Sequence, residues 1–159
     1  MIESTPNELV VAVLHIEGWH MSNFEGYLIK FGNVIMPNKY LVLDGWQATP
    51  NQRLEADAYR DANGLLHRET LSNYKTEIVL SVADLELAEK LEFQHIINQA
   101  MINETERKVD VTYWNDETNE YVHSPTGFYL PGIKWTITHV DEKSKNIIYK
   151  TFSVKLIEY

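Results

Sequence analysis

The side chains best suited to chemistry in this chain are its six histidines, which could bind a metal ion or act as acid–base groups. No two of them have the i, i+4 spacing of a helical metal site, and the chain has no cysteine, so a structural zinc site is not expected. His123 and His139 could approach each other across neighbouring strands, with Asp141 nearby as a carboxylate partner. Ordinary solvated or core histidines are the favoured interpretation. The remaining four are His15, His20, His67 and His95.

Two carboxylate patterns also deserve a chemical interpretation. The segment Asp61-Ala62-Asn63-Gly64 resembles the opening of a calcium loop, but its glycine comes fourth instead of sixth, so it indicates a turn. Asp110 and Glu120 could form a carboxylate pair of the glycosidase kind, which any acidic β protein can offer by chance. The chain contains no nucleophile elbow, P-loop or dinucleotide-binding motif. We therefore expect no catalytic residue, no metal site and no cofactor.

The aromatic residues are better candidates for binding, since the chain has nine Tyr and four Trp. Such rings can stack on sugars, and they are also enriched as anchors of subunit interfaces. Because no secretion signal is recognised, subunit contact is the favoured use. The candidate set is Trp19, Trp46, Trp114, Trp135, Tyr113, Tyr121 and Tyr129.

Composition predicts one globular domain and limits its partners. The chain has 159 residues, of which 44% are hydrophobic and 23% charged. Asp and Glu number 23 against 14 Lys and Arg, a net charge of −9. This balance argues against phosphate binding as the main function, because nucleic-acid affinity depends on Lys and Arg. It does not exclude a surface that nucleic acid slides past, since like charge keeps DNA from sticking. The N-terminus lacks a basic segment, and the apolar run Leu9–Ile16 is too short to span a bilayer, so we expect assembly in a cytoplasm.

The hydrophobic pattern predicts the elements that position these residues: mainly β-strands with one helix. Leu9–Ile16 and Tyr40–Gln47 are candidate strands, and a short strand pair surrounds Gly32. Ala48–Asp57 is polar and is predicted to be irregular. Asn63-Gly64 predicts a tight hairpin turn, since both residues tolerate positive φ. In Lys75–Val82 the residues Ile78, Leu80 and Val82 share one face.

The second half predicts the helix and then strands to the last residue. Ala83–Ile102 is the helix, with Ser81 or Asp84 as its N-cap. It is apolar on two sides, which leaves open a core helix or a helix that contacts a neighbouring subunit. The turn-separated strands that follow favour a sandwich or barrel-like domain. They are Lys108–Trp114, Glu120–Leu130, Ile133–Asp141 and Ile147–Glu158.

Several of these segments carry a resemblance that covers Tyr27–Tyr159. The chain resembles a family of small tail proteins from phages and prophages of Gram-positive bacteria. The features that carry it are the strand and turn at Pro37, the hairpin Arg60–Arg68, the Lys75–Val82 strand followed at once by the helix, the Val109–Trp114 strand, the segment Gly127–Pro131 and the ending Phe152–Tyr159.

The resemblance implies a tail-tube-like β-sandwich or barrel flanked by a helix, with residues 1–26 as an N-terminal arm and first strand and residues 27–159 as a single domain. It implies hexameric rings, joined by a continuous inner β-barrel and stacked through terminal arms and a long loop, here Ala48–Leu71. The implied partners are further copies, other tail proteins such as the tape measure and an adaptor, and phage DNA that passes without specific binding. No small-molecule substrate is implied. The candidate inter-ring residues are Arg53, Arg60, Asp61, Asn63, Gly64, Leu65 and Arg68.

The implied location is the tail of a virion assembled in the host cytoplasm. The alternatives are a distal tail, baseplate or terminator ring protein, and a carbohydrate-binding β module. A hydrolase that uses scattered His and Asp or Glu residues has the least support.

Overall fold

The computed structural model describes residues 22–159, with every side chain in that range except that of Leu54. The predictions for Leu9–Ile16 and the N-terminal arm, and for His15, Trp19 and His20, lie outside the described residues. The strands in chain order are β1 (Ile29–Phe31), β2 (Val34–Ile35), β3 (Leu41–Arg60), β4 (Leu66–Val82), β5 (Leu85–Glu86), β6 (Met101–Asn103), β7 (Lys108–Val109), β8 (Val111–Asn115), β9 (Glu120–His123), β10 (Phe128–Tyr129), β11 (Ile137–Asp141), β12 (Asn146–Tyr149) and β13 (Phe152–Glu158). The helix α1 spans Leu87–Asn98.

These strands form three antiparallel sheets. The largest has the order β3-β4-β13-β10-β7-β6, the second β2-β1-β8-β9, and the third β11-β12-β5. Within residues 22–159 the prediction of a mainly β fold with a single α-helix is therefore confirmed, and the strands of this range form no closed barrel. None of the helical residues in this range forms a segment that is long and apolar enough to cross a membrane.

The hydrophobic core lies where the sheets meet α1. Ile78, Leu80 and Val82 of β4 are all buried, as their alternation predicts, and they share one cluster with Phe93 of the helix. Tyr40 is also fully buried, with its ring edge-on to Phe93 at 6.1 Å between centroids. Burial and the nearby Glu92 carboxylate raise the pKa of the Tyr40 hydroxyl. Fully burying apolar side chains of this size contributes about 1.5–3 kcal/mol each, so this cluster is the main source of stability.

The helix begins later than predicted, and neither predicted N-cap is used. Glu86 is the N-cap, in a capping box with Glu89, whose carboxylate accepts a hydrogen bond from the Glu86 amide at 3.2 Å. Asp84 instead accepts the Thr151 amide at 2.8 Å. The helix buries Phe93, Ile96 and Ile97 on one side. Leu91, on the other side, is 54% exposed, so a subunit neighbour for that side stays a prediction.

Several predicted strand boundaries are wrong, for two physical reasons. Ala48–Asp57 is not irregular, because pairing with β4 makes it part of the continuous strand β3 in spite of its polar sequence. Lys108–Trp114 is interrupted at Asp110, whose amide donates to Ala100 at 2.9 Å, so its two parts lie in different sheets. The predicted strands Glu120–Leu130 and Ile147–Glu158 are divided between sheets in the same way, and Ile133–Asp141 is a strand only from Ile137.

Candidate functional site

The longest stretch of largely exposed β structure in the described residues is the outer part of the β3–β4 hairpin. Strand β4 pairs with β13 only from Glu77 to Val82, whereas from Leu66 to Thr76 its one ladder partner among the described strands is β3. This outer part, residues 53–74, is called the distal hairpin below. Five of its large hydrophobic side chains are between 49% and 61% exposed. They are Tyr59, Leu65, Leu66, Leu71 and Tyr74.

The tip of the distal hairpin is a turn organised by Asp61. Its carboxylate accepts the amides of Asn63 and Leu65 at 2.9 and 3.0 Å, and its carbonyl accepts the Gly64 amide at 2.9 Å. Gly64 has a φ of +78°, whereas Asn63 is outside the left-handed region. The loop is therefore a type I turn followed by a left-handed glycine, a three-residue hairpin connection, and not the tighter turn with two positive φ values that the sequence predicts.

A β-bulge sets which side chains share a face of the distal hairpin. Asp57 lies opposite Glu69, and Glu55 lies opposite Thr70, so Ala56 is an extra residue in β3. The bulge reverses the face to which successive side chains of β3 project. It therefore places Glu55 on the same face as Arg68, and the two side chains form an ion pair.

The ladder register then defines two faces near the tip, since residues directly opposite each other project to the same side. The first, called the acidic face, holds the opposed pairs Asp57 with Glu69 and Tyr59 with His67. The second, called the basic face, holds the opposed pairs Arg60 with Leu66 and Ala58 with Arg68.

The acidic face is partly ordered by its own contacts. The rings of Tyr59 and His67 stack at 5.0 Å and 14°, and His67 Nε2 lies 2.9 Å from the Asp61 carboxylate. The hydrogen bond from His67, together with the amides of Leu65 and Asn63, holds the pKa of Asp61 below its usual range. Within the described part of the chain, no Lys, Arg or His forms an ion pair with Asp57 or Glu69. Two like charges directly opposite each other destabilise an isolated hairpin.

On the basic face the two guanidinium groups differ in their partners. Arg68 is paired with Glu55, whereas Arg60 donates to the neutral Gly64 carbonyl at 2.9 Å and forms no ion pair among the described residues. Arg53 lies further down the hairpin, where its guanidinium lies 4.4 Å from the centroid of the Tyr74 ring. The predicted inter-ring residues are thus all on the distal hairpin, but only Arg60, Asp61, Asn63, Gly64 and Leu65 meet at its tip.

The acidic face is not evident from the sequence. Asp57, Tyr59 and Glu69 were not among the predicted site residues, because their meeting depends on the register of β3 against β4. The alternation of polar residues was the only available signal, and the bulge at Ala56 obscures it.

The histidine and carboxylate chemistry considered above is not assembled as predicted. His123 and His139 do not lie on neighbouring strands, since β9 and β11 belong to different sheets. His123 instead lies 2.5 Å from Asp110 in an exposed pair. Glu120 is at the other end of β9 from His123, so the predicted pair with Asp110 is not formed. In residues 22–159 no group of three or more His, Asp or Glu side chains is arranged to hold a metal ion.

The aromatic candidates are divided among different parts of the fold. Tyr113 is buried in the core, and Trp135 packs on Phe152 at 5.0 Å. Trp114 and Tyr121 pack edge-on against each other at 5.2 Å on the four-stranded sheet. These rings largely contact one another and do not form one continuous sugar-stacking face. The other described members of the set, Trp46 and Tyr129, lie on the six-stranded sheet.

Comparison with known proteins gives one family match. The model of a family described as "Family of unknown function (DUF6711)" matches residues 21–159. No curated protein matches the sequence. Among solved structures, a chain of "Virion of native gene transfer agent (GTA) particle" is 14% identical with a TM-score of 0.47, over 87% of this chain and 95% of that chain.

Proposed function

This chain belongs to the DUF6711 family, and we propose that it is a structural subunit of a phage-like virion that assembles with copies of itself into rings of a tail tube. The rings are hexameric and enclose a channel through which DNA passes without specific binding. The subunit performs no catalysis in this role, and its partners are further copies and the neighbouring tail proteins. The sequence resemblance described above supplies the class of assembly, and the distal hairpin supplies the physical argument.

The observation that carries this proposal is the exposure of both faces of the distal hairpin. A two-stranded hairpin is only marginally stable alone in water, because it buries too little apolar surface to offset the entropy of ordering its chain. This one keeps large rings and aliphatic side chains about half exposed over a long stretch. A partner that covers them would supply the missing burial.

Open sheet edges support the same proposal. Within the described residues, β3 has a strand neighbour on one side only, and it is twenty residues long. Such an edge can pair with other chains unless it is covered, and in a closed ring the edges at the subunit interfaces are paired or covered by neighbouring copies.

The carbohydrate-binding alternative has less support from the geometry. A sugar-stacking site needs rings displayed side by side to solvent, whereas Trp114 and Tyr121 pack edge-on against each other and Trp135 packs against the helix side of the core. A glycan-binding screen with Trp114→Ala as the comparison would test it directly.

Negative-stain electron microscopy of the purified protein tests the proposal. We expect rings or stacked tubes, with sedimentation velocity giving a ring of defined size. Single rings that do not stack would favour the distal-tail, baseplate or terminator alternative. A stable monomer at micromolar concentration would contradict the proposed function.

A further inference from the structure

The two faces of the distal hairpin carry opposite charge, and this suggests how one copy meets the next. The acidic face presents Asp57 and Glu69, and the adjacent Asp61 carboxylate is hydrogen-bonded to His67. The basic face presents Arg60 and Arg68, of which Arg68 is neutralised by Glu55 on the same face, so that Arg60 supplies its net positive charge. Because a β-hairpin is thin, the same short stretch of chain offers both surfaces to its surroundings.

We propose that the acidic face of one copy binds the basic face of a second copy, with the guanidinium of Arg60 between the carboxylates of Asp57 and Glu69. The inference rests on the proposed function, since it concerns how the same chain self-associates, and it specifies the contact. The ligand class is a guanidinium group from an identical subunit.

The electrostatics of the isolated chain argue for a cation at this position. Asp57 and Glu69 are directly opposed and have no cationic partner in the described residues, which is unfavourable for the free hairpin. A planar guanidinium can donate to two carboxylates at once, and it would turn this repulsion into attraction. Among the described residues, the guanidinium of Arg60 at the hairpin tip has only the neutral Gly64 carbonyl as its acceptor.

The same contact has an apolar component. Leu66 lies opposite Arg60 on the basic face and is 52% exposed, while the Tyr59 ring on the acidic face is 57% exposed. Stacking the two faces would bring this side chain and this ring to the same interface, where aromatic and aliphatic burial supplies affinity and the charges fix the orientation.

The contact is heterologous, because it joins two different surfaces of identical chains. Repeated contacts of this kind generate either a closed ring or an open helical filament, and not a closed two-fold dimer. Opposite charges are needed here, since the chain as a whole has a net charge of −9 and copies repel each other at a distance.

Charge reversal tests this inference. The first variant carries Asp57→Lys and Glu69→Lys, so that both faces are basic, and the second carries Arg60→Glu, so that both faces are predominantly acidic. Each variant alone should self-associate roughly tenfold more weakly in sedimentation velocity, because like-charged faces now meet. An equimolar mixture of the two should recover assembly, since the lysine face of one then meets the glutamate of the other.

Matched controls separate this contact from the effect of net charge. Glu117→Lys with Glu142→Lys changes the net charge as the first variant does, and Lys143→Glu changes it as the second does. All three control positions are exposed and lie outside the distal hairpin. These controls should assemble as the unmodified chain does, and circular dichroism with thermal unfolding should give native-like values for every variant.

The possible failures are distinguishable. If the unmodified chain assembles and either hairpin variant assembles equally well, or if the mixture does not recover, the acidic face does not bind the basic face of a second copy, and the proposed function stands without this contact. If the unmodified chain remains monomeric, both the proposed function and the inference are wrong.

Discussion

The base and the distal part of the β3–β4 hairpin belong to the same two strands but have opposite surroundings. At the base, Ile78, Leu80 and Val82 are buried, and β4 has a strand on each side. Beyond Thr76, the ladder narrows to two strands and the side chains are exposed on both faces. The base is therefore stabilised within one chain, whereas the distal hairpin has the size and exposure of a surface that another copy would cover.

The largest expected effect comes from truncating the buried base. Leu80→Ala removes a fully buried side chain and should lower the free energy of unfolding by about 2–5 kcal/mol in urea titrations followed by circular dichroism. Leu66→Ala is the matched change in the distal hairpin. It should lower the free energy of unfolding of the dissociated chain by no more than about 0.5 kcal/mol, because the side chain is already half exposed. Equal losses for the two variants would remove the distinction between base and distal hairpin.

The capping box of α1 offers a second test, in a part of the fold that lies outside the distal hairpin. Glu86→Ala removes the side-chain acceptor at the helix N-terminus and should lower the unfolding free energy by about 1 kcal/mol. Self-association measured by sedimentation velocity should be unchanged, since the helix cap lies outside the distal hairpin. A change in assembly without a change in stability would indicate that the cap region is itself an interface.

A backbone change at the tip tests the distal hairpin without altering its charge. Gly64→Ala adds a Cβ atom at a residue whose φ is +78°. The added carbon meets open space, but the left-handed backbone conformation is less favourable for alanine than for glycine by about 1 kcal/mol. Gly132→Ala is the matched control, because it also meets open space and has no positive φ. We expect Gly64→Ala to weaken self-association with little change in global unfolding, and Gly132→Ala to change neither.

The smallest expected effect is the pH dependence of the turn. Because the folded-state pKa of Asp61 is lowered, its contribution to the turn is complete above about pH 4, the ordinary carboxyl value, and is lost as the pH falls through the lowered value. Amide chemical shifts of Asn63 and Leu65 should therefore titrate below pH 4 together with the Asp61 carboxylate. Titration at or above the ordinary carboxyl pKa would show that these hydrogen bonds are absent in solution.

How far the sequence predicts this fold depends on whether a feature is local. The alternation of Ile78, Leu80 and Val82 correctly identified a core face, because it requires only the two-residue period of a strand. The distribution of strands among sheets was not predictable. Val109 and Val111 follow the alternation of a single strand in the sequence, but the hydrogen bond from the Asp110 amide to Ala100 separates them into strands of two different sheets. The polar run in β3 lacks an apolar pattern and becomes a strand through pairing with β4.

The candidate site was predictable in position but not in detail. Asn63-Gly64 located the hairpin tip, and Gly64 adopts the expected left-handed conformation. The meeting of Asp57 with Glu69 required the register and the bulge at Ala56, which a single sequence does not specify. The separation of acidic and basic side chains onto two faces of the hairpin therefore depends on the register of the folded strands.

If the distal hairpin is completed by other copies of this chain, shortening the hairpin should abolish self-association. Residues 54–73 would be replaced by Asn-Gly, which joins the paired residues Arg53 and Tyr74 by a two-residue turn. Sedimentation velocity of this variant beside the unmodified chain is the decisive measurement. We predict a folded monomer whose thermal unfolding remains cooperative, under conditions in which the unmodified chain assembles. A shortened chain that assembles as the unmodified one does would show that the distal hairpin is not the surface through which copies associate.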